Sequence, residues 1–222
     1  MCGRYTNTAN LDAMQMRFDF DTEETDFVPR YNLAPTQYAP VLILDQNGHR
    51  RLEMMRWGLI PHWAKDASIG NRMINARSET IQEKPVFRSS FKKYRCLVPA
   101  DGFYEWQKTG KTKQPLRIML KSRQLFAMAG LWAKWQGPDG KEIRSFTILT
   151  TTPNALLKQI HDRMPVILPP DLEEAWLKSE DIDQLQGLLV PYPAQELTAY
   201  EVSTLVNSPK NEVEDCIKPK QD

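Results

Sequence analysis

The sequence predicts an α+β fold: a mostly antiparallel, barrel-like β-sheet core with several short peripheral helices. Three observations predict it. "PVLILDQNGHRRLEMMRWG" sets Asn47-Gly48 between two strand-like runs, the strongest short hairpin signal in the chain, because Asn-Gly accepts the positive φ angles of a tight turn. "YRCLVPADGFYEWQ", "PLRIML", "LFAMAGLWAKW" and "RSFTILTT" read as further strands, with turns at Thr109-Gly110 and at Gly137-Pro138-Asp139-Gly140. Helical spacing of apolar residues, by contrast, is confined to short stretches.

Those stretches follow in order. Leu11, Met14 and Phe18 recur at helical spacing after Thr8, which is placed to act as N-cap. A second helix is expected over 153–160, with Thr152 as cap and Pro153 in the first turn, and two more over 172–177 and 182–189. There is no internal repeat. After Asn207 the hydrophobic period is lost, so the chain divides into one domain over 1–210 and a flexible tail over 211–222.

Composition sets outer bounds. A chain of 222 residues, 41% apolar and 26% charged, buries one sizeable core and is too apolar to be disordered. Its longest apolar runs, "PVLIL" and "LFAMAGLWA", are far too short to span a bilayer, and the first twenty residues lack a basic region followed by an apolar one. A cytoplasmic protein with no membrane partner is therefore expected. Cys2, Cys96 and Cys216 are odd in number and widely spaced, which suits reduced thiols better than a disulfide framework or a zinc site. Nothing points to a metal or an organic cofactor. The net charge of +1 conceals two basic runs, over 84–95 and 108–123, and an acidic one over 171–183. If the basic runs share a face, that face attracts phosphate; otherwise they are solvated strand edges and turns.

Cys2 raises the sharpest chemical question. Removal of Met1 would give Cys2 a free α-amine beside its thiol, two nucleophiles that titrate near ~8 and ~8.5. The amine can then act as base for a thiol that attacks an acyl group, as in N-terminal-nucleophile hydrolases. Alternatively, amine and thiol add to one aldehyde carbon and close a thiazolidine ring. Glutamine amidotransferases of the first kind also begin "MCG", but they continue with an apolar residue that starts a buried strand, where this chain has Arg4.

Three further motifs supply polar groups. In "MINARSET", Asn75 and Arg77 lie two apart on an extended segment and share a face, suited to orienting a hydroxyl and clamping a phosphate; loop capping and a surface ion pair are the plainer roles. "DGFYEWQ" sets Glu105 among Phe103, Tyr104 and Trp106, either snorkelling at a rim or buried with a raised pKa that fits general acid-base work. "IHDRMPVIL" places His161, Asp162 and Arg163 after a helix, where the histidine is a proton carrier or only a helix cap. His49 and His62 lack comparable context and are read as structural. Trp63, Tyr31 and Tyr38 sit beside arginines and prolines as stacking platforms for unpaired bases, or as core, whereas Trp57 ends a hairpin strand and belongs in the core.

Taken in order, "MCGRY", "YNLAP", "RWGLIPHW", "INARSET", "CLVPADGFYEW" and "IHDRMPVIL" resemble the signature blocks of the SRAP family, the SOS-response-associated peptidase domain, over about 1–210. The resemblance implies recognition of abasic sites in single-stranded DNA and covalent crosslinking through a thiazolidine, with abasic-site lyase activity beside it, in a monomer associated with the nucleoid if bacterial. It implies Cys2 as nucleophile once Met1 is removed, Asn75 holding the cysteine and the opened sugar, Glu105 assisting ring opening, and His161 forming and reversing the crosslink. Arg4, Arg77 and Arg163 match phosphate-contacting positions, and Trp63 and Trp106 match the DNA path; the loop from His62 to Arg72 is individual to this chain. The family name also records a peptidase, acting on Met1 or on other proteins. An N-terminal-nucleophile amidohydrolase and a noncatalytic single-stranded DNA-binding module complete the alternatives.

Overall fold

The computed structural model describes residues 2–23 and 27–220. In chain order these form β1 (Tyr5–Asn7), α1 (Leu11–Phe18), β2 (Arg30–Leu33), β3 (Tyr38–Leu44), β4 (Arg50–Trp57), β5 (Asn75–Arg77), α2 (Pro85–Lys93), β6 (Arg95–Ala100), β7 (Gly102–Thr109) and β8 (Thr112–Leu120). Then come β9 (Phe126–Gln136), β10 (Glu142–Thr151), β11 (Met164–Pro165), β12 (Ile167–Leu168), α3 (Glu173–Lys178), α4 (Ile182–Gly187) and β13 (Leu197–Glu201). Strands β4, β3, β6, β9 and β10 pair in turn, and β10 pairs back to β4, so five strands close into a barrel with no free edge. Every pairing in that ring is antiparallel except β4 with β10, which is parallel. A second, five-stranded sheet in the order β13-β8-β7-β1-β2 lies against it.

The alternation of side chains along the strands produces two apolar layers. Ala39, Val41, Met55, Trp57, Cys96, Val98, Met128, Phe146 and Ile148 point into the barrel and join Tyr5, Phe103 and Ile118 of the second sheet in one core. Their neighbours Leu42, Leu97, Ala129, Leu131 and Leu149 point outward and are covered by the helices, through Met14 and Phe18 of α1, Phe87 and Phe91 of α2, Trp176 of α3 and Leu185 of α4. Gly130 is required by closure: a Cβ there would stand 2.8 Å from the Cys96 sulfur and 3.1 Å from the Thr147 carbonyl oxygen. The Asn47-Gly48 hairpin forms as expected, Gly48 at φ +81° between β3 and β4.

Local expectations differ where long-range partners intervene. Thr8 does not cap α1, because its hydroxyl is drawn to the Asp101 carboxylate; Asn10 caps instead, its Oδ1 accepting from the Ala13 N–H at 2.9 Å. The helix expected over 153–160 is reduced to a 3-10 turn at Leu157–Gln159, since Asn154 accepts from the Leu157 N–H and donates to the Tyr192 carbonyl. Helix α3 begins at Glu173 behind a 3-10 turn, and α4 ends at Gly187, before the expected 189. Helix α2 falls within what reads as a basic run, with Pro85 at its first turn and Phe87 and Phe91 buried four apart.

Two arginines of the basic runs lie inside the fold and not on a charged face. Arg95 is buried, and its guanidinium donates to the carbonyls of Phe91, Lys92, Trp176, Leu177 and Ser179, closing the C-terminal ends of α2 and α3. Arg117 is buried against Asp101, Thr6 and the Tyr200 hydroxyl.

The expected flexible tail is also corrected as far as Lys220. The Glu212 carboxylate accepts from the backbone N–H groups of Tyr31 and Asn32 and from Arg30, Cys216 is fully buried, and the Lys220 N–H donates to the Glu201 carbonyl. These contacts are polar and long-range, so no hydrophobic period announces them. Residues 221 and 222 lie outside the described residues.

Candidate active site

The N-terminal arm is aligned by β1. Tyr5 pairs with Phe103 and Thr6 with Gly102, and the Tyr104 N–H donates to the Arg4 carbonyl at 2.9 Å, so residues 2–4 run beside β7 where it carries Glu105. Cys2 is fully buried and its thiol donates weakly to the Arg4 carbonyl at 3.8 Å. Burial pushes the thiol pKa well above its ordinary value, and the Glu105 carboxylate raises it further.

Asn75 reaches Cys2 from the barrel. The Trp57 indole N–H donates to the Ile74 carbonyl at 2.9 Å, and β5 pairs in parallel with β10 from Ile148 to Thr150, which fixes the segment from both sides. The alternation of β5 turns Ala76 into the outer core, leaving Asn75 and Arg77 on the other face. Asn75 Nδ2 then donates to the Cys2 carbonyl at 2.8 Å, while its Oδ1 is buried and has no hydrogen-bond partner among the described residues.

Glu105 lies near enough to Cys2 to act on its thiol. It shares a face with Phe103, as the strand period predicts, and is 2% exposed. Burial raises its pKa, and the neighbouring His161 opposes that shift. The His161 loop is tied to β7 by Gln107, which donates to the Gln159 carbonyl at 2.9 Å. His161 Nδ1 lies 3.1 Å from the Arg163 N–H and 2.8 Å from an Asp162 carboxylate oxygen. One nitrogen cannot serve both at once: neutral imidazole accepts from Arg163 and carries its proton on Nε2, and imidazolium presents Nδ1–H to Asp162.

The arginines expected at phosphates divide. Arg163 is buried, its guanidinium bound to both Glu79 oxygens at 2.6 and 2.9 Å and to the Thr150 carbonyl at 2.6 Å, so it joins the exit of β5 to the end of β10. Glu79 stood in the "MINARSET" block without a role; the structure makes it the partner of Arg163. Arg4 is half-buried and donates to Asn32 Oδ1 at 2.8 Å and to the Val206 and Asn207 carbonyls. Arg77 is exposed and makes no side-chain hydrogen bond or ion pair among the described residues. Trp106 is half-buried with its indole N–H on Asn207 Oδ1 at 2.7 Å. Trp63, 53% exposed, lines a cleft with Tyr94 and Trp132.

Sequence reasoning missed Asn32. Fully buried, it accepts from Arg4 and donates to the Val206, Ser208 and Asn211 carbonyls, which holds the C-terminal segment against the arm that carries Cys2. Its place inside "YNLAP" was the available signal. Among the described residues, no three His, Cys, Asp or Glu side chains converge as metal ligands.

The chain is similar to known proteins over nearly its whole length. Residues 1–209 match the family model of the SOS response associated peptidase (SRAP). The chain is 50% identical over 223 residues to the abasic site processing protein YoqW of Bacillus subtilis (strain 168), covering 98% of this chain and 99% of that one. It is 33% identical to the abasic site processing protein HMCES of Xenopus tropicalis, over 89% of this chain and 68% of the other. A crystal structure of a Bacteroides thetaiotaomicron protein superposes with a TM-score of 0.89 at 28% identity, covering 99% and 100% of the two chains. With its family model matched over nearly the whole length and close relatives spanning both chains, this protein belongs to the SOS response associated peptidase (SRAP) family.

Proposed function

We propose that the protein senses abasic sites in single-stranded DNA and traps them as a thiazolidine crosslink through Cys2, after removal of Met1. Relatives named abasic site processing proteins support the substrate class. The observation that carries the chemistry is the Asn75 amide, which holds the Cys2 carbonyl with Nδ2 and keeps a buried acceptor, Oδ1, beside it. That acceptor suits the protonated amine of Cys2 or a hydroxyl of the opened sugar.

The steps follow from the groups present. Burial favours the protonated form of Glu105, which donates to the ring oxygen of the closed deoxyribose while the anomeric hydroxyl passes its proton to solvent water, and the aldehyde opens. The Cys2 amine adds to the aldehyde carbon and water leaves, giving an imine. The thiol then adds to the same carbon: a sulfur–carbon bond forms and the thiol proton goes to the imine nitrogen, closing the ring. The high thiol pKa makes a relay necessary at this step: Glu105, by then deprotonated, and His161 are the groups at hand to take the thiol proton and pass it to that nitrogen. If a C2′ proton leaves before the thiol adds, the 3′ phosphate is eliminated, which is lyase activity. On this reading the protein acts as a cytoplasmic monomer, nucleoid-associated if bacterial.

Intact-protein mass measurement after mixing with single-stranded DNA that holds one abasic site tests this. The expected product is the protein without Met1 plus the DNA less one water; Cys2→Ala should bind DNA and give no heat-stable adduct. A heat-stable adduct from Cys2→Ala, or no covalent mass shift from the processed wild type, overturns the reading, the second in favour of a noncatalytic binder or a peptidase.

A further inference from the structure

The β7–β8 hairpin leaves a basic run that the Cys2 chemistry does not use. Its register sets Trp106 opposite Pro115, Lys108 opposite Lys113 and Thr109 opposite Thr112. Strand alternation places Lys108 on the face of Trp106, away from Glu105 and Gln107, and Lys113 shares that face as the cross-strand partner of Lys108. Like charges directly opposite one another are destabilising. Both lysines are exposed and neither side chain makes a hydrogen bond or ion pair among the described residues, and Lys111 in the turn adds a third charge. No carboxylate lies within the hairpin segment "QKTGKTKQ". Lys134, Lys178, Lys218 and Lys220, by contrast, each meet a carboxylate. A repulsive pair kept without a neutralising acid beside a fixed aromatic calls for an external polyanion.

We propose that Lys108 and Lys113, with Lys111 at the tip and the indole of Trp106 at the base, form a track for the phosphates of the DNA strand next to the abasic nucleotide. Three strand steps, roughly 10 Å along the backbone, take the hairpin from Glu105 to Lys108, so the track begins within reach of the phosphates adjoining the site. Asn207 holds the Trp106 indole at 2.7 Å, which makes the base of the track rigid. Aromatic and lysine on one face is the pattern that binds single strands without reading their sequence. This surface rests on the reading of the Cys2 site as one that takes single-stranded DNA.

The test is the salt dependence of binding to an undamaged single-stranded oligonucleotide. Each lost phosphate contact lowers the slope of log affinity against log salt by about 0.7, so K108Q/K113Q should lower it by about 1.4. K108R/K113R should keep the wild-type slope, and K121Q/K141Q, which removes equal charge from exposed turns elsewhere, should also keep it. On abasic DNA, K108Q/K113Q should lose adduct yield when DNA is dilute and recover it when DNA is raised. An unchanged slope in K108Q/K113Q overturns the track, as does an equal fall in K121Q/K141Q, which would mean diffuse charge only. A wild type that binds but gives no adduct strikes at the Cys2 chemistry instead, because the slopes are read on undamaged DNA.

Discussion

The side-chain amide of Asn75 donates to the main-chain carbonyl of Cys2 at 2.8 Å, across 73 positions of sequence. The Cys2 residue precedes β1 and its carbonyl lies outside the strand ladder, so this bond replaces the one that a sheet would have supplied. Trp57 and β10 hold Asn75 in place on the barrel wall, which makes the barrel the template for the N-terminal arm.

Asn75→Ala should therefore misplace Cys2 more than it unfolds the protein. A buried hydrogen bond of this kind contributes about 1 kcal/mol, and a comparable loss at the transition state is about a fivefold to tenfold slower reaction. Adduct time courses at saturating abasic DNA check this, with thermal unfolding as the control. Asn75→Asp should be slower still, because a carboxylate would then face the Cys2 carbonyl.

Glu105 should trade stability for chemistry. Its folded-state pKa lies above the unfolded value because burial disfavours the charged form, so its contribution to stability is complete below the ordinary carboxylate range and is lost as pH rises through the folded pKa. Glu105→Gln removes this dependence. The variant should gain in melting temperature relative to wild type as pH rises, while its crosslinking slows by about 10²-fold or more, the usual weight of a general acid-base group. Melting curves across pH and adduct rates read the two halves separately.

The Glu79–Arg163 pair should behave in the opposite sense. The hydrogen bonds of Arg163 hold the Glu79 carboxyl below its ordinary pKa, so this contribution is present above the unfolded value and lost as pH falls through the folded one. Glu79→Gln leaves a buried guanidinium short of its charge partner. Because nearly half of the Glu79 side chain is in water, with 45% exposure, the loss should be roughly 1–2 kcal/mol, below that of a fully buried pair. Urea unfolding at neutral and acid pH should show the gap between wild type and variant closing as the pH drops.

Glu212→Ala should release the C-terminal segment. It strands the N–H groups of Tyr31 and Asn32 and removes the partner of Arg30. Cys216, fully buried in the native protein, should then react faster with a thiol reagent, and limited proteolysis should cut after about residue 207 before it cuts the barrel. Equal labelling rates in the two proteins would refute this role.

How much was legible depended on the range of the forces involved. The hairpin at Asn47-Gly48, the strands β6 to β10 and the burial of Trp57 were written in turn residues and a period of two, both local signals. Cys2, Asn75, Glu105 and His161 could be picked out one by one, because a thiol behind Met1, a carboxamide in an extended run, an acid among aromatics and a histidine between elements are each unusual in place. Their convergence was not readable, since it depends on β1 lying beside β7, β5 beside β10, and Gln107 reaching the Gln159 carbonyl.

The remaining decisions were tertiary. Arg77, Arg95, Arg117 and Arg163 are the same residue type in basic or mixed surroundings, yet Arg77 is left open to solvent, Arg95 closes two helices, Arg117 joins Asp101 and Arg163 joins Glu79. Charge alone could not tell them apart, because a guanidinium's role is set by which carbonyls and carboxylates the fold carries to it. The sequence by itself determined the sheet and its turns, through local conformational preference, and named the candidate reactive groups by residue type. Only the tertiary structure decided which groups meet, which arginines are occupied and that the C-terminal segment is held down as far as Lys220, because those outcomes rest on hydrogen bonds between residues up to 203 positions apart.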